Sequence, residues 1–182
     1  MKDQFYEIEI KSLLTEDKYN QLLGYLKENF RMIGKDSIHT IKFLPGDIRL
    51  RKSGKIKEVV CKEPDVTKVG RKEIKIPIAD DEDFDAMQEM LLMLGLELEA
   101  EWIKHKTEFI FPYKGYDYTV CLQHIENFAY ILEVEFIADV NNFFTHEPNI
   151  REIIRELGCE PINPIEFLKR VDEYREQYKK FK

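Results

Sequence analysis

Phe5-Tyr6-Glu7-Ile8-Glu9-Ile10-Lys11 alternates with a strict period of two. In an extended strand Tyr6, Ile8 and Ile10 then share one face, and Glu7, Glu9 and Lys11 share the other. The same division recurs along the chain. Arg49 and Arg51 oppose Ile48 and Leu50; Lys104 and Lys106 oppose Ile103; Glu133 and Glu135 oppose Leu132, Val134 and Phe136. Charged residues facing water would account for any one of these strands. They account less well for the sorting of sign, since two strands carry carboxylate pairs at i and i+2 and two carry cationic pairs at the same spacing.

The elements between these strands say which way the faces turn. Thr15 caps a helix that gathers Tyr19, Leu22, Leu23 and Leu26 on one side. Asp80 to Leu94 places Phe84, Met87, Met90, Leu91 and Leu94 at helical spacing, with acidic residues in its first turn and Gly95 as its stop. Asn149 to Leu157 and Pro164 to about Tyr178 are two more helices with charged outer faces. Further strands are expected at Ile38 to Leu44, across a hairpin from Ile48 to Lys62 through Ser53-Gly54, and at Arg71 to Ile78, Leu98 to Phe111, Tyr116 to His124 and Ala129 to Ala138. Roughly eight strands and four helices in mixed order make an α+β domain on an antiparallel sheet or barrel. Amphipathic helices need apolar strand faces to pack on, so a curled sheet wrapped by them turns its charged faces inward.

Composition bounds what such a lumen could serve. With 182 residues, 43% of them hydrophobic, the chain can bury a core without metal or disulfide staples, and residues 1–182 read as a single domain. A net charge of -7 is unlike a basic nucleic-acid binder. No apolar run reaches the roughly 18 residues of a membrane span, and Met1-Lys2-Asp3-Gln4 does not open a signal peptide. Cys61, Cys121 and Cys159 are scattered, as expected of reduced thiols in a cytoplasmic protein; Cys61 and Cys121 are expected to pack on apolar faces. His39, His105, His124 and His146 have no paired ligand spacing, and no Ser-His-Asp or Cys-His constellation is identifiable. No glycine-rich phosphate cradle is present, so phosphate would be held by side chains. Converging Arg and Lys among carboxylates suit a polyanion bound together with Mg²⁺ or Mn²⁺.

These residues resemble a family. Glu7-Ile8-Glu9-Ile10-Lys11 looks like the E-x-E-x-K signature of the CYTH superfamily, the triphosphate tunnel enzymes that include class IV adenylate cyclases and thiamine or inorganic triphosphatases. Arg49-Leu50-Arg51 is similar to the family's R-x-R, Lys62 to its following lysine, Arg71-Lys72-Glu73 to its R-x-E, Lys104-His105-Lys106 to K-x-R, and Glu133-Val134-Glu135 to the closing E-x-E. The ordered set spans nearly the whole chain. It implies an eight-stranded antiparallel tunnel with a charged lumen, surrounded by helices. Lys11, Arg49, Arg51, Lys62, Lys75, Lys104 and Lys106 would contact phosphate, Glu7, Glu9, Glu73, Glu133 and Glu135 would ligate Mg²⁺ or Mn²⁺, and Glu9, Lys11 and Lys62 would take part in catalysis.

Three positions depart from the family pattern. Gln123 stands where an Asp is usual, Lys75 where a second Glu often follows, and Lys106 replaces an Arg. Gln123 and Lys75 make the lumen more positive, while Lys106 keeps the charge and loses the bidentate fork. The activity implied is hydrolysis of a phosphoanhydride bond in a small-molecule triphosphate such as ATP, thiamine triphosphate or tripolyphosphate, in a monomer or homodimer that engages neither nucleic acid nor membrane. The alternatives are a class IV adenylate cyclase, which the stretch from Lys62 through Pro64 to Glu73 resembles, and a non-catalytic polyphosphate- or nucleotide-binding module.

Overall fold

The computed structural model describes residues 5–63, 70–71, 73–139 and 143–180. The strands are β1 (Phe5–Leu14), β2 (Arg31–Leu44), β3 (Asp47–Lys52), β4 (Lys57–Lys62), β5 (Gly70–Arg71), β6 (Glu73–Pro77), β7 (Glu97–Tyr113), β8 (Tyr116–Ile125) and β9 (Ala129–Asp139). The helices are α1 (Glu16–Asn29), α2 (Asp81–Met93), α3 (Phe143–Glu156) and α4 (Pro164–Lys180). All the strands belong to one antiparallel sheet in the order β5-β1-β9-β8-β7-β2-β3-β4-β6. Its two ends are neighbours in the chain. Gly70 and Arg71 pair with Ile8 and Glu7 of β1, while Glu73 pairs with Lys62 of β4. The sheet therefore curls until its first and last strands face each other. The expected tunnel is present among the described residues: within the strand expected from Arg71 to Ile78, Arg71 pairs with β1 and Glu73 to Pro77 pair with β4, so this stretch reaches both ends of a curled antiparallel wall.

Local chemistry sets the helix ends as anticipated. Thr15 Oγ1 accepts from Lys18 N–H at 3.2 Å, and Asp80 Oδ1 accepts from Asp83 N–H at 2.8 Å. Gly95 follows α2 with φ +84°, a left-handed geometry that favours glycine. Two boundaries differ from expectation. β2 starts seven residues earlier than Ile38, because Arg31 to Ser37 continue the ladder with β7. α3 starts at Phe143 and carries Pro148 inside it.

Two apolar clusters form outside the curl. Ile8, Ile10, Val120, Leu122, Leu132 and Val134 from β1, β8 and β9 pack with Leu22 and Leu26 of α1 and Ile150, Ile153 and Ile154 of α3. Ile41, Phe43 and Leu50 from β2 and β3 pack with Phe84 and Leu91 of α2. Fully burying each such side chain is worth about 1.5–3 kcal/mol, which fixes strand register. Because Ile8 and Ile10 must face the helices, Glu7, Glu9 and Lys11 must face the lumen. No helix among the described residues is long and apolar enough to cross a membrane.

Candidate functional site

The interior of the curl is a cavity of about 410 Å³. Lys11, Arg49, Arg51, Lys62, Lys75, Lys104 and Lys106 all line it, as do Glu7, Glu9, Glu73, Glu133 and Glu135. Strand pairing accounts for this convergence: Glu9 lies opposite Glu135 and Lys11 opposite Glu133 across β1 and β9, while Lys62 lies opposite Glu73 and Val60 opposite Lys75 across β4 and β6. The carboxylate pairs thus share one wall. Arg49, Arg51, Lys62 and Lys75 share another, and β7 brings Lys104 and Lys106.

The walls neutralise each other through ion pairs. Lys11 Nζ lies 2.7 Å from Glu133 Oε2 and 3.0 Å from Glu9 Oε1. Arg49 forks onto Asp47 at 2.6 and 2.9 Å. Arg51 reaches Glu58 at 2.9 Å and Glu73 at 3.1 Å, and Lys62 reaches Glu73 at 2.8 Å and Glu7 at 3.6 Å. Donor capacity is still left over. Arg51 Nε is buried with no hydrogen-bond partner, and among the described residues the Lys104 ammonium makes neither an ion pair nor a hydrogen bond.

Protonation follows the same geography. Burial would lower Lys11, but Glu133 and Glu9 outweigh it and hold the ammonium above its usual range. Burial favours a neutral Glu73, yet Lys62, Lys75 and Arg51 pull its carboxyl down to about 2. Lys104 is lowered by burial, with Arg51 and Lys106 adding to the effect against Glu133. Glu135 goes the other way: burial, then the charges of Glu133, Glu7 and Glu9, push it up to about 8. Glu7 is raised as well, by burial and its carboxylate neighbours against the pull of Lys62.

Glu7 and Glu135, held back from ionising by burial and by neighbouring carboxylates, mark a place short of positive charge, which a divalent cation supplies through hard oxygen ligands. Glu7, Glu9, Glu133 and Glu135 fit that requirement in donor type. Two of them are engaged by Lys11, and among the described residues no three His, Cys, Asp or Glu side chains stand already assembled around a common point.

The lumen holds more charge than the sequence reading assigned. Lys42, Asp47, Glu108, Arg151 and Arg175 also line it, giving ten cations and seven carboxylates. Lys42 was visible as the alternate-face neighbour of Ile41 and Phe43, and Asp47 and Glu108 stand two residues from Arg49 and Lys106. Arg175 had no such signal, because α4 meets the tunnel mouth only through tertiary packing. Arg175 binds Glu99 at 2.9 Å, and Lys42 binds the same buried carboxylate at 2.7 Å. The ladder pairs Phe43 with Leu98 and Lys42 with Ala100, so Glu99 is the extra residue of a bulge.

Two expectations are corrected, and one constellation that sequence spacing does not show is added. Cys61 is exposed, and Cys121 is buried in the lumen wall beside Glu133, where burial and that charge push its thiol up to about 12, so neither packs on a helix-covered apolar face. A Ser-His-acid chain does exist: Ser37 Oγ and His105 Nδ1 are 2.8 Å apart, and His105 Nε2 and Glu126 Oε1 are 2.8 Å apart. It lies on the outer sheet face, and none of its members lines the cavity.

No protein-family model and no curated protein matches the chain. Solved structures do. The PH1819 protein of Pyrococcus horikoshii OT3 superposes with a TM-score of 0.67 at 23% identity, over 86% of this chain and 92% of that one. HpAC1 of Hippeastrum, an adenylyl cyclase candidate described as having a dominant triphosphatase activity, superposes at 0.56 with 12% identity, over 85% and 88%. A chain of the Schizosaccharomyces pombe Mediator head module superposes at 0.61 with 16% identity, over 86% and 97%. At these identities the likeness shows a shared fold, and it is the tunnel fold that the CYTH resemblance implied.

Proposed function

We propose that the protein binds a small-molecule triphosphate together with a divalent cation in its tunnel and hydrolyses a phosphoanhydride bond. The observation that carries this reading is the convergence of Arg49, Arg51, Lys62, Lys75, Lys104 and Lys106 on one cavity that retains unpartnered donors at Arg51 and Lys104. Guanidinium forks and ammonium groups around an enclosed space match the spread charge of a phosphate chain. The likeness to HpAC1 supports the same substrate chemistry.

Arg49 and Arg51 would orient the chain of phosphates, and Lys104 and Lys106 would hold its opposite flank. Glu7, Glu9, Glu133 and Glu135, with Glu73 nearby, would hold Mg²⁺ or Mn²⁺, which would supply positive charge to neutralise the phosphates. Water attacks phosphorus, a new P–O bond forms, and the bond to the bridging oxygen breaks. Glu9 takes the proton from the attacking water, while Lys11 and Lys62 face the oxygens that gain charge. Lys11 serves as a fixed cation and not as the base, since Glu133 and Glu9 hold it protonated.

Incubation with ATP, thiamine triphosphate and tripolyphosphate in Mg²⁺ or Mn²⁺ tests this reading. Orthophosphate release is the expected result. Cyclic AMP with pyrophosphate would make the protein a cyclase, and binding without turnover would make it a non-catalytic module.

A further inference from the structure

The cavity continues past its charged walls into an apolar compartment beneath α4. Phe167, Leu168, Val171 and Tyr174 line it from the helix, and Trp102 and Phe128 line it from the sheet side. These four helix positions recur at helical spacing on one face, which is the pattern of a packed helix. Yet every one of the six is only half-buried, whereas the residues under α1 and α3 are almost wholly buried. Two apolar surfaces that merely packed together would exclude water and interdigitate. Here the Phe128 ring meets those of Phe167 and Tyr174, 6.2 and 5.2 Å away, while Trp102, Leu168 and Val171 border the open cavity. The helix is nonetheless held over it, by Tyr174 Oη donating to the Glu101 carbonyl at 3.3 Å, by the Phe128 ring 5.2 Å from Tyr174, and by Arg175 on Glu99.

This compartment adjoins the phosphate grip. The Arg49 guanidinium stands 5.8 Å from the centroid of the Trp102 ring. A ligand whose phosphates lay on Arg49 would bring whatever they are attached to against Trp102 and the aromatic side chains beyond. The cavity as a whole, charged and apolar parts together, is about 410 Å³, in the range of sites for drug-sized organic molecules. We infer that the preferred substrate is an organic triphosphate bearing an aromatic group, and that Trp102 is the residue that selects it over inorganic tripolyphosphate. This rests on the triphosphate reading above and adds the substrate's second half to it. Stacking on an aromatic side chain typically contributes about one to two decades of affinity.

Trp102 is the chain's single tryptophan, so its emission reports this compartment directly. Titration of the full chain with ATP, thiamine triphosphate and tripolyphosphate should quench Trp102 emission with at least one organic ligand and leave it nearly unchanged with tripolyphosphate. The quenching ligand should bind about tenfold or more tightly than tripolyphosphate. In Trp102→Ala that preference should vanish while tripolyphosphate affinity stays within about twofold; Trp102→Phe should keep most of it, which separates loss of stacking from loss of folding. Tripolyphosphate binding as tightly as both organic ligands, or Trp102→Ala weakening all three equally, would overturn the inference while leaving the triphosphate reading intact. Absence of binding by any of the three would sink that reading instead.

Discussion

Gln123 Nε2 donates to Glu133 Oε1 at 2.8 Å, with both side chains buried in the tunnel wall. The other carboxylate oxygen of Glu133 meets Lys11 at 2.7 Å. Glu133 is thus satisfied from two sides, by a cation and by a neutral amide. An Asp at position 123, as the CYTH resemblance leads one to expect, would put a second carboxylate where the amide now donates.

Gln123→Asp therefore destabilises the cation-free protein and increases its response to divalent cations. Replacing a buried donor by a like charge costs on the order of 1–3 kcal/mol. The expected result is a lower melting temperature in chelator and a larger rise on adding Mn²⁺ than in the parent. Equal cation responses in both proteins would place Gln123 outside the metal's reach.

Glu135 predicts a pH dependence whose sign is fixed by its environment. Its folded pKa, about 8, lies above the ordinary 4.5, so the native state keeps a proton that the unfolded chain has released. The stability this confers is complete below about 4.5 and is lost as pH rises through about 8. Glu135→Gln removes the loss. Without divalent cations the variant should match the parent near pH 4.5 and exceed it by roughly 2–4 kcal/mol at pH 8.5. A denaturation series across that window checks it; parallel curves for the two proteins would refute the assignment.

What the chain's sequence revealed, and what it hid, divides along the kind of interaction. The charged faces of β1, β3, β7 and β9 are encoded by a period of two within a few residues, and register against two apolar clusters leaves them only one way to point. Hence Glu7, Glu9, Lys11, Arg49, Arg51, Lys104, Lys106, Glu133 and Glu135 were legible, and all line the cavity. Glu99 was not, because its approach to Lys42 depends on a one-residue bulge that shifts the pattern it would otherwise have followed. Nor was the Ser37-His105-Glu126 chain, which is assembled from β2, β7 and the turn after β8 and has no trace in local spacing. Trp102 shares the alternate-residue face of Lys104 and Lys106, yet nothing in the sequence said that α4 would roof it.

Arg51 and Lys75 separate phosphate grip from surface charge. Arg51 is largely buried, holds Glu58 and Glu73, and keeps its Nε free, whereas the Lys75 side chain is 54% exposed. Arg51→Lys retains the charge and loses the fork, so tripolyphosphate affinity should fall about tenfold, or ~1.4 kcal/mol. Lys75→Met should change it by less than about threefold, since exposed charges act through solvent and salt. Calorimetry at two salt concentrations resolves the two effects. A larger loss at Lys75 than at Arg51 would mean that the phosphates lie toward the open edge and not along β3.

Arg175 decides whether α4 is fixed by the tunnel or merely rests on it. Glu99 is a buried carboxylate with two cations, Lys42 from β2 and Arg175 from α4, and only Arg175 connects it to the helix. Arg175→Ala leaves that carboxylate with half its compensation, which costs on the order of 1–3 kcal/mol. The cost should appear locally: amide hydrogen exchange should speed up along α4 and remain unchanged in α3, whose Ile150, Ile153 and Ile154 sit in the separate apolar cluster. Adding Glu99→Gln to Arg175→Ala removes the buried charge that the first change stranded. The pair should therefore be less destabilised than the sum of the two single variants. Additive behaviour would mean that the Arg175–Glu99 contact does not hold the helix, and that the aromatic contacts of Phe128 with Phe167 and Tyr174 suffice to keep α4 in place.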